Sequence, residues 1–167
     1  MNTTLTTDRL PDVLPQNPLD LACEWFAYAQ DHAAQPNPNA MSLVSIGEDG
    51  QPSVRIVLCK SFVANPGYLV FFTNYESHKG RDLIANPRAA VVMHWDALGR
   101  QIRVEGQALR SPAAESDEYF ASRARGSQLG AWGSDQSRPL ESRRQLLAQL
   151  RERAAGLAGE TPAAIPR

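Results

Sequence analysis

Three groups of residues in this 167-residue chain have the types and spacing to do chemistry, and all three suit the holding of anions. The first is Arg55-Ile56-Val57-Leu58-Cys59-Lys60, a largely aliphatic run with a cation at each end. The second is Phe72-Thr73-Asn74-Tyr75-Glu76-Ser77-His78-Lys79-Gly80-Arg81. It reads as a strand end, a polar turn and a helix starting near Ser77, so that backbone N–H groups lie beside Ser77, His78 and Lys79 as a cradle for a dianionic phosphate. The third runs from Tyr119 to Trp132 and on through Ser134-Asp135-Gln136-Ser137. Tyr119 and Arg123 stand four apart on a predicted helix, and Gly126 allows a bend that brings Ser127 toward them around a second anion. Arginine supplies a planar fork, lysine a compact charge, and the hydroxyls further donors.

Taken singly, each group has a structural reading that serves as well or better. Arg55 and Lys60 are an odd number of residues apart, so a regular pleat points them to opposite faces as two solvated charges bracketing a core strand. Ser77 can be a simple helix cap. Tyr119 can pack while Arg123 is solvated. Lys60 and Lys79 are the only lysines in a chain that otherwise uses arginine. Neither Gly-x-Gly-x-x-Gly nor a P-loop is present, and no Gly-x-Ser-x-Gly elbow occurs.

The elements that must position these groups follow from periodicity. Residues 1–16 are rich in Thr, Pro and Asn and read as a flexible lead, 17–157 as a single domain, and 158–167 as a loop-like tail. Asn17 caps a helix with Pro18 at its first position, and Leu21, Trp25, Tyr28, Ala29 and His32 form its apolar stripe. Pro36-Asn37-Pro38-Asn39 ends it. The period then shifts to two: Met41–Ile46, a turn at Asp49-Gly50, Val54–Cys59, a third strand Gly67–Thr73, a fourth Ala89–Trp95 and a fifth Gln101–Leu109. Ser111-Pro112 opens a helix to about Arg123, and Pro139 opens another with Leu140, Leu147, Leu150, Ala154 and Leu157 near one face. The fold class is mainly β with flanking helices (α+β), with the strands forming an antiparallel barrel.

Composition narrows the partners. With 43% hydrophobic and 21% charged residues the chain can bury one ordinary core. A net charge of −1 argues against a nucleic-acid partner, which needs a concentrated basic face. Cys23 and Cys59 lack both Cys-x-x-Cys spacing and a His partner, so neither a disulfide framework nor a metal site is expected. The N-terminus lacks the pattern of a signal peptide, and no apolar stretch is long enough to cross a bilayer. The expected setting is the cytoplasm, with no membrane partner.

From Pro18 to about Gln149 the chain resembles the pyridoxamine 5'-phosphate oxidase family in order and spacing. The resemblance is carried by Gly50-Gln51-Pro52 before Arg55 to Lys60, by Phe72-Thr73-Asn74 with Ser77-His78-Lys79, and by Arg100-Gln101-Ile102 with Val104-Glu105-Gly106. Tyr119-Phe120-Ala121-Ser122-Arg123, Ser127-Gln128-Leu129-Gly130-Ala131-Trp132 and Gln136-Ser137 complete it. It implies an FMN-binding split β-barrel, working as a homodimer with FMN at the interface. By position, Arg55, Ile56, Val57, Leu58, Cys59, Lys60, Phe72, Thr73, Ser77, His78, Lys79, Gln101, Gln136 and Ser137 resemble the family's cofactor contacts. Lys60, Tyr119, Arg123 and Ser127 resemble its grip on the substrate phosphate. The implied reaction is oxidation of pyridoxine or pyridoxamine 5'-phosphate to pyridoxal 5'-phosphate with oxygen as acceptor, the flavin performing hydride transfer and no side chain assigned as acid or base.

Two departures from the family pattern stand out. Position 78 is His where the family usually has Arg, which removes a fork from the phosphate site. The chain also stops before the family's Trp-Gly-Gly and Arg-x-His-Asp-Arg segments, which predicts an incomplete barrel with open sheet edges and leaves FMN or B6-phosphate binding without turnover as the alternative.

Overall fold

The chain first turns helical at α1 (Leu19–Asp31), one residue later than expected: Pro18 is the N-cap, and the Asn17 side chain accepts from the Leu19 N–H at 3.1 Å. The computed structural model describes residues 10–32 and 35–156. Leu157, the 158–167 tail and the first nine residues of the expected lead therefore lie outside the described residues. Phe26 and Ala29 make the buried seam of α1, with Leu21, Trp25 and Tyr28 half-buried beside it and His32 exposed.

The described residues cluster into two compact units that interleave along the chain. The first comprises residues up to Val44, Val54–Phe72 and Ala89–Gly106; the second comprises Ser45–Ser53, Thr73–Arg88 and the chain from Gln107. Four strands, β1 (Ala40–Ile46), β2 (Pro52–Leu58), β5 (Arg88–Trp95) and β6 (Arg100–Gln107), form a sheet of order β2-β1-β5-β6. β1 and β5 run antiparallel with Leu43 opposite Val91. Alternation makes one face the interior: Met41, Leu43, Val91, Met93, Trp95 and Ile102 are all buried. The Trp95 indole N–H is satisfied by the Pro38 carbonyl at 2.6 Å. Among the described residues the sheet does not close; β2 and β6 stand at its edges. The fold is thus antiparallel sheet plus flanking helices, an unclosed split barrel.

The expected third strand is corrected. β3 (Ser61–Val63) and β4 (Tyr68–Val70) pair as a separate hairpin, Phe62 opposite Leu69, and regular structure ends at Val70. Gly67, at φ +105° and with a Cβ position 2.7 Å from Leu19 Cδ1, makes the turn that only glycine fits. Phe62 meets Phe26 edge-on with ring centroids 6.0 Å apart, which seats the hairpin on α1. Phe72 and Thr73 consequently lie beyond the strand, in irregular chain.

The second unit carries α2 (His78–Ala85), α3 (Ala113–Ser122), α4 (Arg125–Gly133) and α5 (Arg143–Gly156). The expected bend at Gly126 is absent: the chain breaks at Arg123-Ala124, and Gly126 and Ser127 are helical in α4. Gln128 makes the break tight, its buried Nε2 donating to the carbonyls of Phe120, Ala121 and Arg123 at 3.1, 3.2 and 3.0 Å, which satisfies the end of α3. The last helix starts at Arg143 rather than Pro139, because Ser142 accepts from the Gln145 N–H at 3.1 Å while Gln145 Oε1 accepts from the Glu141 N–H at 2.8 Å. Leu140 therefore stands outside the helix, and exposed.

Candidate functional site

A polar turn folds onto the start of α2 because Ser77 is fully buried there and works twice. Its hydroxyl donates to the Asn74 carbonyl at 2.6 Å and accepts from the Gly80 N–H at 3.3 Å. A Cβ at position 80 would collide with the Tyr75 carbonyl, so glycine is what lets the turn close. The cap contributes about 1 kcal/mol. It also brings Lys79 back over the helix start, with Nζ 3.3 Å from Ser77 Oγ and 2.8 Å from Oε1 of Gln136.

That last contact joins two of the expected cofactor residues across a long stretch of chain. Gln136 accepts with its oxygen, which leaves its Nε2 as a donor. Ser137, next to it, holds φ at 67°, a left-handed backbone unusual for serine. It is the third residue of a β-turn closed by the Arg138 N–H on the Asp135 carbonyl at 3.1 Å, which fixes where Gln136 and Ser137 stand. The Lys79 ammonium and the Gln136 amide thus meet beside a helix start with Ser137 next in the chain, and these residue types fit a phosphate such as that of FMN.

His78, with its side chain 59% exposed, pairs through Nε2 with Asp82 Oδ1 at 3.3 Å. Asp82 is buried and also accepts from Ser45 Oγ at 2.6 Å. The Ser45 bond ties α2 to residue 45, while the His78–Asp82 pair has the i, i+4 spacing of neighbours on one helix face.

Tyr119, Arg123 and Ser127 do not share one helix: Tyr119 is in α3, Arg123 ends it and Ser127 is in α4. Arg123 caps α3 in extended backbone, so it is not on the helical face of Tyr119, and its guanidinium instead lies 5.8 Å from the Phe120 ring centroid. Tyr119 is half-buried and Ser127 exposed in the first turn of α4. That turn has no side-chain cap.

In the first unit, Arg55 lies on the less exposed face of β2 with Val57 and donates through Nη1 to the Leu43 carbonyl at 3.2 Å. Ile56 and Leu58 share the open face with Val54. Lys60 lies exposed past the strand end, where the pleat of β2 no longer applies, and its N–H donates to the Val70 carbonyl at 2.7 Å. Cys59 is 1% exposed, and burial pushes its thiol up to about 11. Its N–H donates to the Asn39 carbonyl and its carbonyl accepts from Asn39 Nδ2, both at 2.9 Å, so it offers a ligand neither side chain nor free amide. Phe72 is half-buried, and Gln101 stands on the exposed face of β6. Arg100, beside it, is buried with its guanidinium 4.8 Å from the Trp25 ring and 5.3 Å from the Tyr28 ring.

Sequence reasoning missed Gln149 and Arg153, which grip Asp135 just ahead of Gln136. Arg153 makes a two-pronged contact with the Asp135 carboxylate at 2.9 Å on each prong, and Gln149 Nε2 adds a bond to Oδ2 at 3.0 Å. The Arg153 bond holds the Asp135 carboxyl below the usual range. Their spacing of four on a predicted helix was the available signal.

Comparison with known proteins adds the decisive observation: residues 29–154 match the model of the pyridoxamine 5'-phosphate oxidase family. The chain belongs to that family. Curated relatives called pyridoxine/pyridoxamine 5'-phosphate oxidase include one from Sphingopyxis alaskensis, 45% identical over 97% of this chain and 76% of its own length. Others are from Bordetella avium, 52% identical over 89% and 69%, and Cupriavidus metallidurans, 55% identical over 79% and 60%. Among solved structures, PhzG from Burkholderia lata 383, in complex with tetrahydrophenazine-1-carboxylic acid, is 29% identical with a TM-score of 0.77, covering 93% of this chain and 77% of that one. A pyridoxamine 5'-phosphate oxidase-related FMN-binding protein from Nostoc punctiforme shares the fold at 13% identity, with a TM-score of 0.61 over 80% and 73% of the two chains. By type the family member described here is a flavin oxidoreductase, and FMN is the cofactor that goes with the family. No described helix is long and apolar enough to cross a membrane.

Proposed function

We propose that this chain binds FMN and oxidises pyridoxine 5'-phosphate or pyridoxamine 5'-phosphate to pyridoxal 5'-phosphate. The observation that carries the reading is the meeting of Lys79, Ser77 and Gln136 beside a left-handed Ser137. Lys79 and Ser137 hold the FMN phosphate, His78 adds a weaker contact, and Arg55, Lys60, Phe72, Thr73 and Gln101 serve the rest of the cofactor. FMN when bound supplies the two-electron acceptor. Either substrate gives up two electrons and two protons, which oxygen takes up as hydrogen peroxide; for the amine, water then supplies the aldehyde oxygen and the nitrogen leaves as ammonia. The side chains align: Lys60, Tyr119, Arg123 and Ser127 anchor the substrate phosphate, so that remote binding energy becomes orientation of the reacting carbon.

The working form is a homodimer in a cytoplasmic setting, with FMN at its interface. Support comes from edge strand β2, where Val54 and Ile56 are 65% and 64% exposed, an apolar row that a second copy would cover.

A second reading, FMN binding without turnover, is favoured by one observation: Arg123 lies on Phe120 rather than beside Tyr119. Anaerobic addition of pyridoxine 5'-phosphate to the FMN-loaded protein separates the two. Bleaching of the flavin supports the oxidase, a stable yellow protein supports the binder, and a chain that takes up no FMN overturns both. Tetrahydrophenazine-1-carboxylic acid is the control donor; bleaching by it alone would replace the phosphorylated substrate with a carboxylate.

A further inference from the structure

We infer that Arg153, Gln149 and Asp135 form a latch that sets the Gln136-Ser137 segment for phosphate, making α5 a positioning element of the cofactor site. The inference rests on the proposed FMN phosphate site. The segment between α4 and α5 is held from the α5 side at successive points. Gln149 Nε2 donates to the Gly133 carbonyl at 3.1 Å, and Arg153 Nη1 to the Trp132 carbonyl at 3.0 Å, so both side chains grip the last turn of α4. The same two side chains then take the Asp135 carboxylate, Arg153 with both prongs of its fork. Gly133 permits the approach, since a Cβ there would run into the Leu150 side chain.

Two consequences follow for the next residues. Geometrically, fixing the carbonyls of 132 and 133 and the side chain of 135 leaves the backbone at 136 and 137 little freedom. The gripped Asp135 is also the first residue of a β-turn, its carbonyl accepting from the Arg138 N–H at 3.1 Å with Ser137 at the left-handed position, and Gln136 within that turn meets Lys79 at 2.8 Å. Electrostatically, a carboxylate adjoining a phosphate site repels the ligand; pairing with a guanidinium neutralises it and turns it toward α5. Arg153 therefore acts on the ligand through Asp135, without touching it.

The test compares FMN with riboflavin, which lacks the phosphate, by flavin fluorescence titration of the full chain and its Arg153→Ala, Arg153→Lys and Asp135→Asn variants. Arg153→Ala is expected to weaken FMN about tenfold, the loss of one charge-assisted contact set, and to leave riboflavin unchanged. Arg153→Lys should recover part of the loss. Asp135→Asn, which keeps the side chain's shape and removes the charge, should weaken FMN less than Arg153→Ala does. A latch serving only to hold α5 would weaken both ligands alike, and variants that keep the parent's preference for FMN would show no role at all; either result overturns the inference. If the parent chain itself binds riboflavin as tightly as FMN, it is the phosphate-site reading that fails.

Discussion

Lys79 and Gln136 meet through Nζ and Oε1 at 2.8 Å although 57 positions separate them, and Lys79 reaches Ser77 Oγ from the same ammonium. An ammonium and a neutral amide brought together at a helix start are groups that suit a dianion, the ammonium supplying charge and the amide a further donor.

Replacing that ammonium should therefore be felt by the phosphate. Lys79→Gln is expected to weaken FMN binding about 10- to 100-fold, the range for one charge-assisted hydrogen bond. Equilibrium titration with thermal melts of the apo-protein checks it; lost affinity with an unchanged melt is the expected pair of results.

His78→Arg should tighten FMN about threefold by restoring a permanent fork next to the site. The lost contact to Asp82 is largely exposed on the histidine side, and Asp82 keeps its bond from Ser45. The same titration reads this variant.

Gly80→Ala should destabilise the fold by about 1–3 kcal/mol, because the added methyl must push aside the Tyr75 backbone rather than a movable side chain. Urea unfolding of the two proteins side by side measures the difference.

Much of this was legible in the sequence where a local rule and a tertiary contact agree. The period-two runs at 41–46 and 89–95 match β1 and β5 closely, since alternation is itself the signature of a sheet with one buried face. Ser77 was readable as a helix start. Elsewhere local punctuation outbid the true signal: Pro139 looked like a helix start, while Ser142 and Gln145 supplied the cap. The apolar run after Gly67 looked like a longer strand, but its partner β3 is only three residues long and pairing stops with it. Arg123 fell off the predicted helical face because Gln128, from the next helix, satisfies the carbonyls that end α3. The latch on Asp135 was hidden for another reason. Its partners lie 14 and 18 residues away in a helix whose position no local pattern fixes.

Asp135 also carries a pH dependence with a definite sign. Its carboxyl is held below the ordinary range, chiefly by the hydrogen bond from Arg153, so the folded state favours the charged form. The stabilisation is present at pH values above the ordinary carboxylate range and is lost as the pH falls through the lowered value. The parent chain should melt higher than Asp135→Asn at neutral pH, and the gap should close below about pH 4. Melting curves of the pair across an acid series check it.

The central claim is that Lys79, Gln136 and Ser137 form the phosphate end of an FMN site, and a crystal structure of the chain grown with FMN tests it most directly. The FMN phosphate is expected within hydrogen-bond distance of Lys79 Nζ and Ser137 Oγ. A flavin bound with its phosphate elsewhere, and those side chains on solvent, would contradict it.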